Sequence, residues 1–168
     1  VATTLPLNAT YSNGSSGVGA TLTNAGAQVA LSIDGVALAV NDRVLIKDQA
    51  FELQNGCYQV TNIGSGATNW VLTRTTNYDE SYQVAVGDLF TVTSGTFNSG
   101  LTFKQESLVS VIGTSDITFE EFNAITFSDF STIGNPLYEV FNPSGLDQFY
   151  ITYLRYALAA RICAEYAY

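Results

Sequence analysis

The chain has 168 residues and a net charge of −9 at neutral pH, from 15 acidic and six basic side chains. This length suits one ordinary domain, alone or with a small appendage. The six basic residues are scattered and form no basic stripe, so we expect neither nonspecific nor sequence-specific binding of nucleic acid. No apolar run approaches the roughly 18 residues that a membrane span needs, so we expect no membrane partner.

The first 33 residues are predicted to be an extended lead-in that is rich in Gly, Ser and Thr. Residues 13–26 read NGSSGVGATLTNAG, which contains Gly17 and Gly19 in a Gly-x-Gly pattern. A phosphate-binding loop would need a hydrophobic strand before these glycines and a helix after them, and neither is present in the sequence. Turn formation is therefore the better interpretation of the glycines.

Residues 1–126 as a whole are rich in Thr, Val, Gly and aromatic side chains, with turn residues at roughly eight- to twelve-residue spacing. That pattern predicts a mainly β fold, a small antiparallel sandwich or barrel. Trp70, Leu72 and Arg74 alternate with Val71 and Thr73, which predicts a strand with two distinct faces.

Two turns are predicted within residues 34–60. Asn41-Asp42 separates two apolar runs, and Asn55-Gly56 matches the type I′ hairpin turn, in which both central residues have positive φ. Between them, Val44 and Ile46 are expected on the strand face opposite Arg43, Leu45 and Lys47.

The period changes after a predicted linker at residues 127–145. Residues 146–168 carry apolar side chains at helical spacing, and Ser144 with Asp147 forms a capping-box pattern before them. The predicted long C-terminal α-helix is apolar on most of its faces, which favours burial against other subunits. Its expected oligomer contacts are Leu146, Phe149, Tyr150, Tyr153, Leu154, Leu158 and Ile162.

The sequence contains no histidine, which removes Ser-His-Asp catalysis and His-ligated zinc. Cys57 and Cys163 are too few for a zinc site by themselves and are interpreted as two buried thiols rather than a disulfide. We therefore expect no metal and no cofactor.

The acidic residues do not form an evident catalytic pair. Asp79-Glu80 and Glu120-Glu121 are neighbours in sequence, and neighbours on a strand point to opposite faces. Asp34, Asp42 and Asp48 fall at turns or strand ends, where aspartate accepts hydrogen bonds from nearby backbone amides. A carboxylate pair brought together across strands remains the alternative, but the sequence favours a protein that is not an enzyme.

Three aromatic residues are candidates for stacking on a sugar ring, namely Trp70, Tyr78 and Tyr82. Packing in the core or between subunits is the alternative for each of them. Packing is the favoured interpretation, most of all for Trp70, because it alternates with Leu72.

Six segments in order resemble a β-module of bacteriophage tail-fibre and tail-associated virion proteins. They read VATTLPLNATYSNGSSGVGATLT, IDGVALAVNDRVLIKDQ, QNGCYQV, NWVLTRTTNYDE, VAVGDLFTVTSGTFNSGLTFKQE and ITFEEF, and they cover about residues 1–124. The sequence departs from the family pattern at Asn41, where Gly is common, and at Cys57, where Ile is usual. The spacing of the acid in TTNYDE is also shifted.

The resemblance implies a structural or attachment module of a virion and carries no catalytic residue. No catalytic role transfers to the motif positions Asp34, Arg43, Lys47, Asn55, Gly56, Trp70 and Arg74. The predicted C-terminal helix has only a general similarity to helices of phage head–tail adaptor and neck proteins.

Three functions are therefore compatible with the sequence. The first is a non-catalytic virion component of the tail that assembles with itself and with other virion proteins. The second is a module that binds a host-surface glycan, or degrades one. The third is a head–tail adaptor in a ring around DNA, where an acidic lumen would let the DNA slide.

Overall fold

The computed structural model describes residues 1–123, and this part of the chain is mainly β with antiparallel sheets, as predicted. The predicted linker at 127–145 and helix at 146–168 lie outside the described residues, as do Cys163 and the seven expected oligomer contacts. Within residues 1–123 the strands are β1 (Ala9–Ser12), β2 (Thr21–Asn24), β3 (Ser32–Ile33), β4 (Val36–Ala37), β5 (Arg43–Ile46), β6 (Gly56–Asn62), β7 (Val71–Arg74), β8 (Leu89–Thr91), β9 (Thr102–Gln105) and β10 (Phe119–Glu121). Short 3-10 helices occupy Glu52–Gln54 and Ser81–Gln83.

The largest sheet has five strands in the order β1-β2-β7-β6-β5, and a second sheet has the order β10-β9-β8. Strands β3 and β4 form a separate hairpin. Every pair of neighbouring strands in these sheets is antiparallel. The pairing of β6 with β7 shifts register between Val60 and Asn62, which marks a β-bulge.

The main core lies on one face of the five-stranded sheet. Leu22 and Leu72 face each other across β2 and β7, and neither has any exposed surface. The predicted alternation in β7 is confirmed, because Trp70, Leu72 and Arg74 are buried while Val71 and Thr73 are partly exposed. The hairpin β3–β4 contributes Ile33 and the partly buried Val36 to the same cluster.

Strand β5 is buried on both faces, which the sequence pattern did not predict. Val44 and Ile46 belong to the main core, whereas Leu45 joins a second cluster with Ala2, Val92 and Phe103. Leu45 therefore lies on the face opposite Val44 and Ile46, as predicted, and this face is covered at Leu45 rather than open to solvent. The cause is long-range, since residues of the β8–β9 region cover the second face of β5.

A third cluster packs on the outer side of β6. Cys57 is buried there as a free thiol, together with Tyr78. The rings of Tyr78 and Phe90 meet edge to face at 5.1 Å, and those of Phe90 and Phe119 do so at 5.5 Å. Edge-to-face geometry is favourable for aromatic pairs, so this chain of rings fixes β8 and β10 against β6.

The hairpin turn that matches type I′ geometry is Asp34-Gly35 rather than Asn55-Gly56. Both residues have positive φ, 50° and 76°, and they join the paired residues Ile33 and Val36. Asn41 also has positive φ, 76°, in agreement with the turn predicted at Asn41-Asp42.

The type I′ turn predicted at Asn55-Gly56 is wrong. Asn55 follows the 3-10 helix with φ −64° and ψ 163°, and Gly56 (φ 142°) begins β6. The Asn55 side chain is 1% exposed and joins three segments: it accepts from Gln49 N (3.0 Å) and donates to Lys47 O (3.2 Å) and Ile117 O (3.0 Å). Gly56 leaves room for the guanidinium of Arg74, against which a Cβ would collide.

The lead-in at residues 1–33 contains two strands of the main sheet. β1 is an edge strand, and β2 lies between β1 and β7. Residues 1–3 pair in parallel with the free edge of β5. Leu45 N donates to Val1 O, and Thr3 N donates to Leu45 O, both at 3.0 Å. These residues thus cover the edge of the sheet that β5 would otherwise leave open.

Within the described residues, no helix has the length and apolar character needed to cross a membrane.

Candidate functional site

The three candidate aromatic residues lie in different environments. Trp70 is 5% exposed in the main core and Tyr78 is 3% exposed in the third cluster, so neither ring has a face available to a sugar. This burial agrees with packing, the interpretation that the sequence favoured for Trp70 and Tyr78, and it removes both from the candidate glycan contacts. Tyr82 is 79% exposed, but the buried rings of Trp70 and Tyr78 cannot form a sugar-stacking surface with it.

The acidic residues of the described part form no cluster of three or more groups that could hold a metal ion. Asp48 accepts from the hydroxyl of Thr3 (2.7 Å) and pairs with Lys47 (2.9 Å) instead of capping nearby amides. Asp42 does accept from a nearby amide, Ala39 N, at 2.8 Å, as expected of a turn aspartate.

Asp34 ties its hairpin to a distant loop. Its carboxylate accepts from Phe97 N (2.9 Å) and Asn98 N (2.8 Å), more than sixty residues away, so the expected bonds to nearby amides are wrong for this residue. Burial alone would raise the pKa of Asp34. The amide hydrogen bonds, chiefly from Asn98 and Phe97, outweigh burial and hold this pKa below its ordinary value of 3.8.

We expect Asp34→Asn to destabilise the fold in a pH-dependent way. Because the folded-state pKa is lowered, the ionised carboxylate stabilises the fold fully above the unfolded-state value near 3.8, and this contribution is lost as the pH falls through the folded-state pKa. Urea unfolding of both proteins should show a constant difference between about pH 5 and 7 that shrinks below about pH 4. Asp116→Asn, a substitution of an exposed carboxylate, is the control and should show no such trend. A difference that is independent of pH would contradict the role of the charge.

Arg74 is a buried guanidinium, 2% exposed, on the core face of β7. It donates from Nη1 to Asn55 O (3.0 Å) and from Nη2 to the hydroxyl of Tyr58 (2.9 Å), and its guanidinium lies 4.8 Å from the centre of the Tyr58 ring. Burial raises the pKa of Tyr58 above its ordinary value, and the charge of Arg74 only partly opposes this. Tyr58 therefore stays neutral and accepts a bond from Arg74 while it donates to Gln54 O (2.6 Å).

A cleft of about 410 Å³ lies between β5 and β8. One wall contains Arg43, Cys57 and Asn77, and the other contains the β8 strand and the residues that follow it. A smaller depression of about 220 Å³ shares Val1, Arg43 and Thr93 with the cleft. Arg43 therefore lies at the junction of the two concave surfaces.

The guanidinium of Arg43 is held in place by neutral groups. Its Nη2 donates to Asn77 Oδ1 (3.0 Å) and to Cys57 Sγ (3.3 Å). Within residues 1–123 no carboxylate lies within ion-pair distance of this guanidinium, and Nη1 and Nε have no hydrogen-bond acceptor. Those N–H groups are available to an incoming acceptor.

Arg43 differs from the other basic residues between positions 1 and 123. Lys47 pairs with Asp48 and Lys104 pairs with Glu106, at 2.9 and 2.7 Å, while Arg74 is buried. In the described part of the chain, Arg43 is thus the exposed basic side chain without an ion-pair partner, although Asp42 is adjacent to it in sequence. The net charge of −9 repels anions at long range, so any attraction for an anionic ligand comes from the immediate surroundings of Arg43.

Sequence reasoning placed Arg43 correctly on the face opposite Val44 and Ile46, but it interpreted the residue as scaffold. Asn77 and the β8 wall carry no sequence signal that connects them to Arg43, because 34 residues separate the hydrogen-bonded pair Arg43 and Asn77. The scarcity of basic residues was the one available clue.

Comparisons of the chain with protein-family models, with curated proteins and with solved structures found no match.

Proposed function

We propose that this protein is a non-catalytic structural component of a bacteriophage virion, either a tail fibre or a tail-associated protein. One observation carries the proposal: of the polar residues that define the resemblance to the phage β-module, Asp34, Asn55 and Arg74 hold strands and loops together, and Arg43 is the exception. A catalytic site would instead present such polar groups in a cleft, with hydrogen-bond donors or acceptors available to a substrate.

The individual roles support this. Asp34 fastens the hairpin to the loop at residues 96–98, and Asn55 joins segments that are distant in sequence. Gly56 makes room for Arg74, whose guanidinium fixes β7 to Asn55, the residue before β6. These are the functions of a rigid scaffold.

We interpret the packing of the β8–β9 region against β5 as a small sandwich that presents a sparsely charged surface. In this proposal residues 146–168 form the assembly helix, which attaches the β-module to copies of itself or to other virion proteins. The apolar stripe that contains Leu146, Phe149 and Tyr153 would then be covered in the assembled protein.

Removal of residues 143–168 should abolish self-assembly. We expect the full chain to form a defined oligomer. The chain that ends at Asn142 should be a folded monomer, because it lacks residues 146–168, which are predicted to form a helix that is apolar on most faces. Light scattering coupled to size exclusion measures both masses, and circular dichroism establishes that the shorter chain retains its β-structure. A shorter chain that assembles as well as the full chain would remove the basis for the assembly role.

The position in a particle distinguishes the tail proposal from its alternative. Imaging of the assembled particle should show three-fold symmetry for a fibre, and six-fold symmetry for a tail component. A twelve-fold ring with this chain around the DNA would instead support the head–tail adaptor.

A further inference from the structure

The outer face of the five-stranded sheet carries a row of polar side chains that leads to Arg43. Neighbouring strands are in register at Ser12–Thr21, Thr21–Thr73, Thr73–Gln59 and Gln59–Arg43. Each of these side chains is at least partly exposed. Since adjacent strands lie roughly 4.8 Å apart, the row spans about 19 Å from Ser12 to Arg43. We call these five residues the polar row.

The chemistry of the polar row is that of hydroxyl and amide groups, which both donate and accept hydrogen bonds. Thr73 Oγ1 already shares a bond with Thr61 Oγ1 (3.0 Å), and Gln59 Nε2 donates to Asn41 Oδ1 (2.9 Å). Each of these groups retains further donor or acceptor capacity. A ligand dense in hydroxyl groups matches this surface better than an apolar ligand does.

The electrostatics of the same face favour a negative charge next to Arg43. The five strands of the sheet contain no Asp or Glu. Asp42 lines the smaller depression, but its Oδ2 accepts from Ala39 N at 2.8 Å and forms no ion pair with Arg43. Among the described residues the guanidinium therefore has no ion-pair partner, and its planar N–H groups match a carboxylate.

We propose that the Arg43 cleft and the polar row together bind a polysaccharide whose sugar units carry carboxylate groups. Arg43 holds one carboxylate through Nη1 and Nε, while the cleft of about 410 Å³ accommodates the sugar ring that bears it. The polar row contacts the hydroxyls of adjoining units. This inference rests on the cleft and the sheet face alone and does not depend on the proposed virion role.

An acidic peptide would also offer carboxylates, but it fits the rest of the surface less well. Peptide recognition by sheets commonly uses an open strand edge, and the edge next to Arg43, that of β5, is already covered by residues 1–3, while the other edge, β1, is about 19 Å from Arg43. The polar row lies instead on the sheet face, where side-chain hydroxyls and an amide are the available groups. The saccharide is therefore the occupant that the surface favours.

The test uses the full chain and polygalacturonate as the probe, with binding measured by isothermal titration calorimetry at physiological ionic strength. The wild-type protein should bind polygalacturonate more tightly than the galacturonic acid monomer, since only the polymer reaches the polar row. Neutral dextran should bind at least tenfold more weakly than polygalacturonate, because it offers no partner to Arg43. We expect Arg43→Gln to weaken polygalacturonate binding by about tenfold or more, the usual scale for loss of a charge-assisted hydrogen bond.

Lys104→Gln is the matched control, because it removes one positive charge that is already paired with Glu106 and does not line the cleft. Its affinity should stay within about twofold of the wild type. Thr73→Val keeps the shape of the row but removes a hydroxyl, and it should weaken binding of the polymer while leaving that of the monomer unchanged. Circular dichroism of each variant separates loss of binding from loss of fold.

Three results would overturn the inference. The first is no measurable binding of polygalacturonate by the folded wild-type chain. The second is equal affinity of the wild type and Arg43→Gln, which would exclude Arg43 as the carboxylate partner. The third is binding of poly-L-glutamate as tight as that of polygalacturonate, which would identify an acidic-peptide or general polyanion surface instead.

Discussion

Replacement of Arg74 by alanine is expected to lower the free energy of unfolding by about 3–5 kcal/mol. The substitution removes a large, 2% exposed side chain and leaves Asn55 O without its donor. It also removes the bond to the Tyr58 hydroxyl and the contact with the Tyr58 ring. Chemical denaturation at neutral pH measures the effect.

The neighbouring residue provides the control for Arg74. Thr73→Ala changes the partly exposed face of the same strand and should cost less than about 1 kcal/mol. Arg74→Lys keeps the charge but cannot reproduce the two-pronged donation from Nη1 and Nη2, so its stability should fall between wild type and Arg74→Ala. If Arg74→Ala lost no more stability than Thr73→Ala, the guanidinium would not be the link between β7 and Asn55.

The second large effect is expected at Asn55. Asn55→Ala leaves the buried backbone N–H of Gln49 without an acceptor and the carbonyl oxygens of Lys47 and Ile117 without a donor. This should lower the free energy of unfolding by about 2–4 kcal/mol. Asn55→Asp has nearly the same shape, yet it should cost more, about 3–5 kcal/mol at neutral pH. The reason is that a buried carboxylate would face the carbonyl oxygens of Lys47 and Ile117, which repel it.

The excess cost of Asn55→Asp should depend on pH. Burial raises the pKa of such a carboxyl group, so the penalty is present above the raised folded-state pKa and disappears as the pH falls toward about 4. Asn62→Asp, at the exposed end of β6, is the matched control, because an aspartate there can still accept from Gly64 N. Equal stability of Asn55→Asp and Asn55→Ala at every pH would contradict the buried-charge explanation.

The parts of the fold that could be predicted from the sequence are those set by local alternation. Trp70, Leu72 and Arg74 share a buried face because side chains on one strand alternate between faces, and that periodicity is visible in the residues themselves. Asn41 tolerates positive φ, and the turn at this position follows from the same local preference.

The parts that could not be predicted depend on contacts between segments far apart in the chain. Leu45 is buried because residues of the β8–β9 region cover it, and the sequence of β5 contains no signal for this contact. Asn55-Gly56 has the composition of a hairpin turn, but Gly56 is needed for the close approach of Arg74, eighteen residues later. The hairpin turn is formed instead by Asp34-Gly35. It joins two strands of two residues each, which are too short to show a clear alternation of apolar and polar residues.

The candidate site was less accessible to sequence reasoning than the fold. The aromatic residues considered as possible sugar contacts included Trp70 and Tyr78, for which packing was the favoured interpretation, and both are buried in separate clusters. Arg43 differs from the other basic residues because Lys47 and Lys104 form ion pairs and Arg74 is buried, and these are properties of the folded structure. Isolation of a charge is a property of three-dimensional surroundings, which composition does not contain.

The pairing of residues 1–3 with β5 has a consequence for how this protein behaves at high local concentration. An open strand edge is a template on which another chain can add, and growth of this kind ends in aggregates. Along β5 that position is already taken by the chain's own residues. The edge strands β1, β8 and β10 are only four, three and three residues long. The described part of the chain therefore offers little open strand edge on which the sheet of a second copy could add.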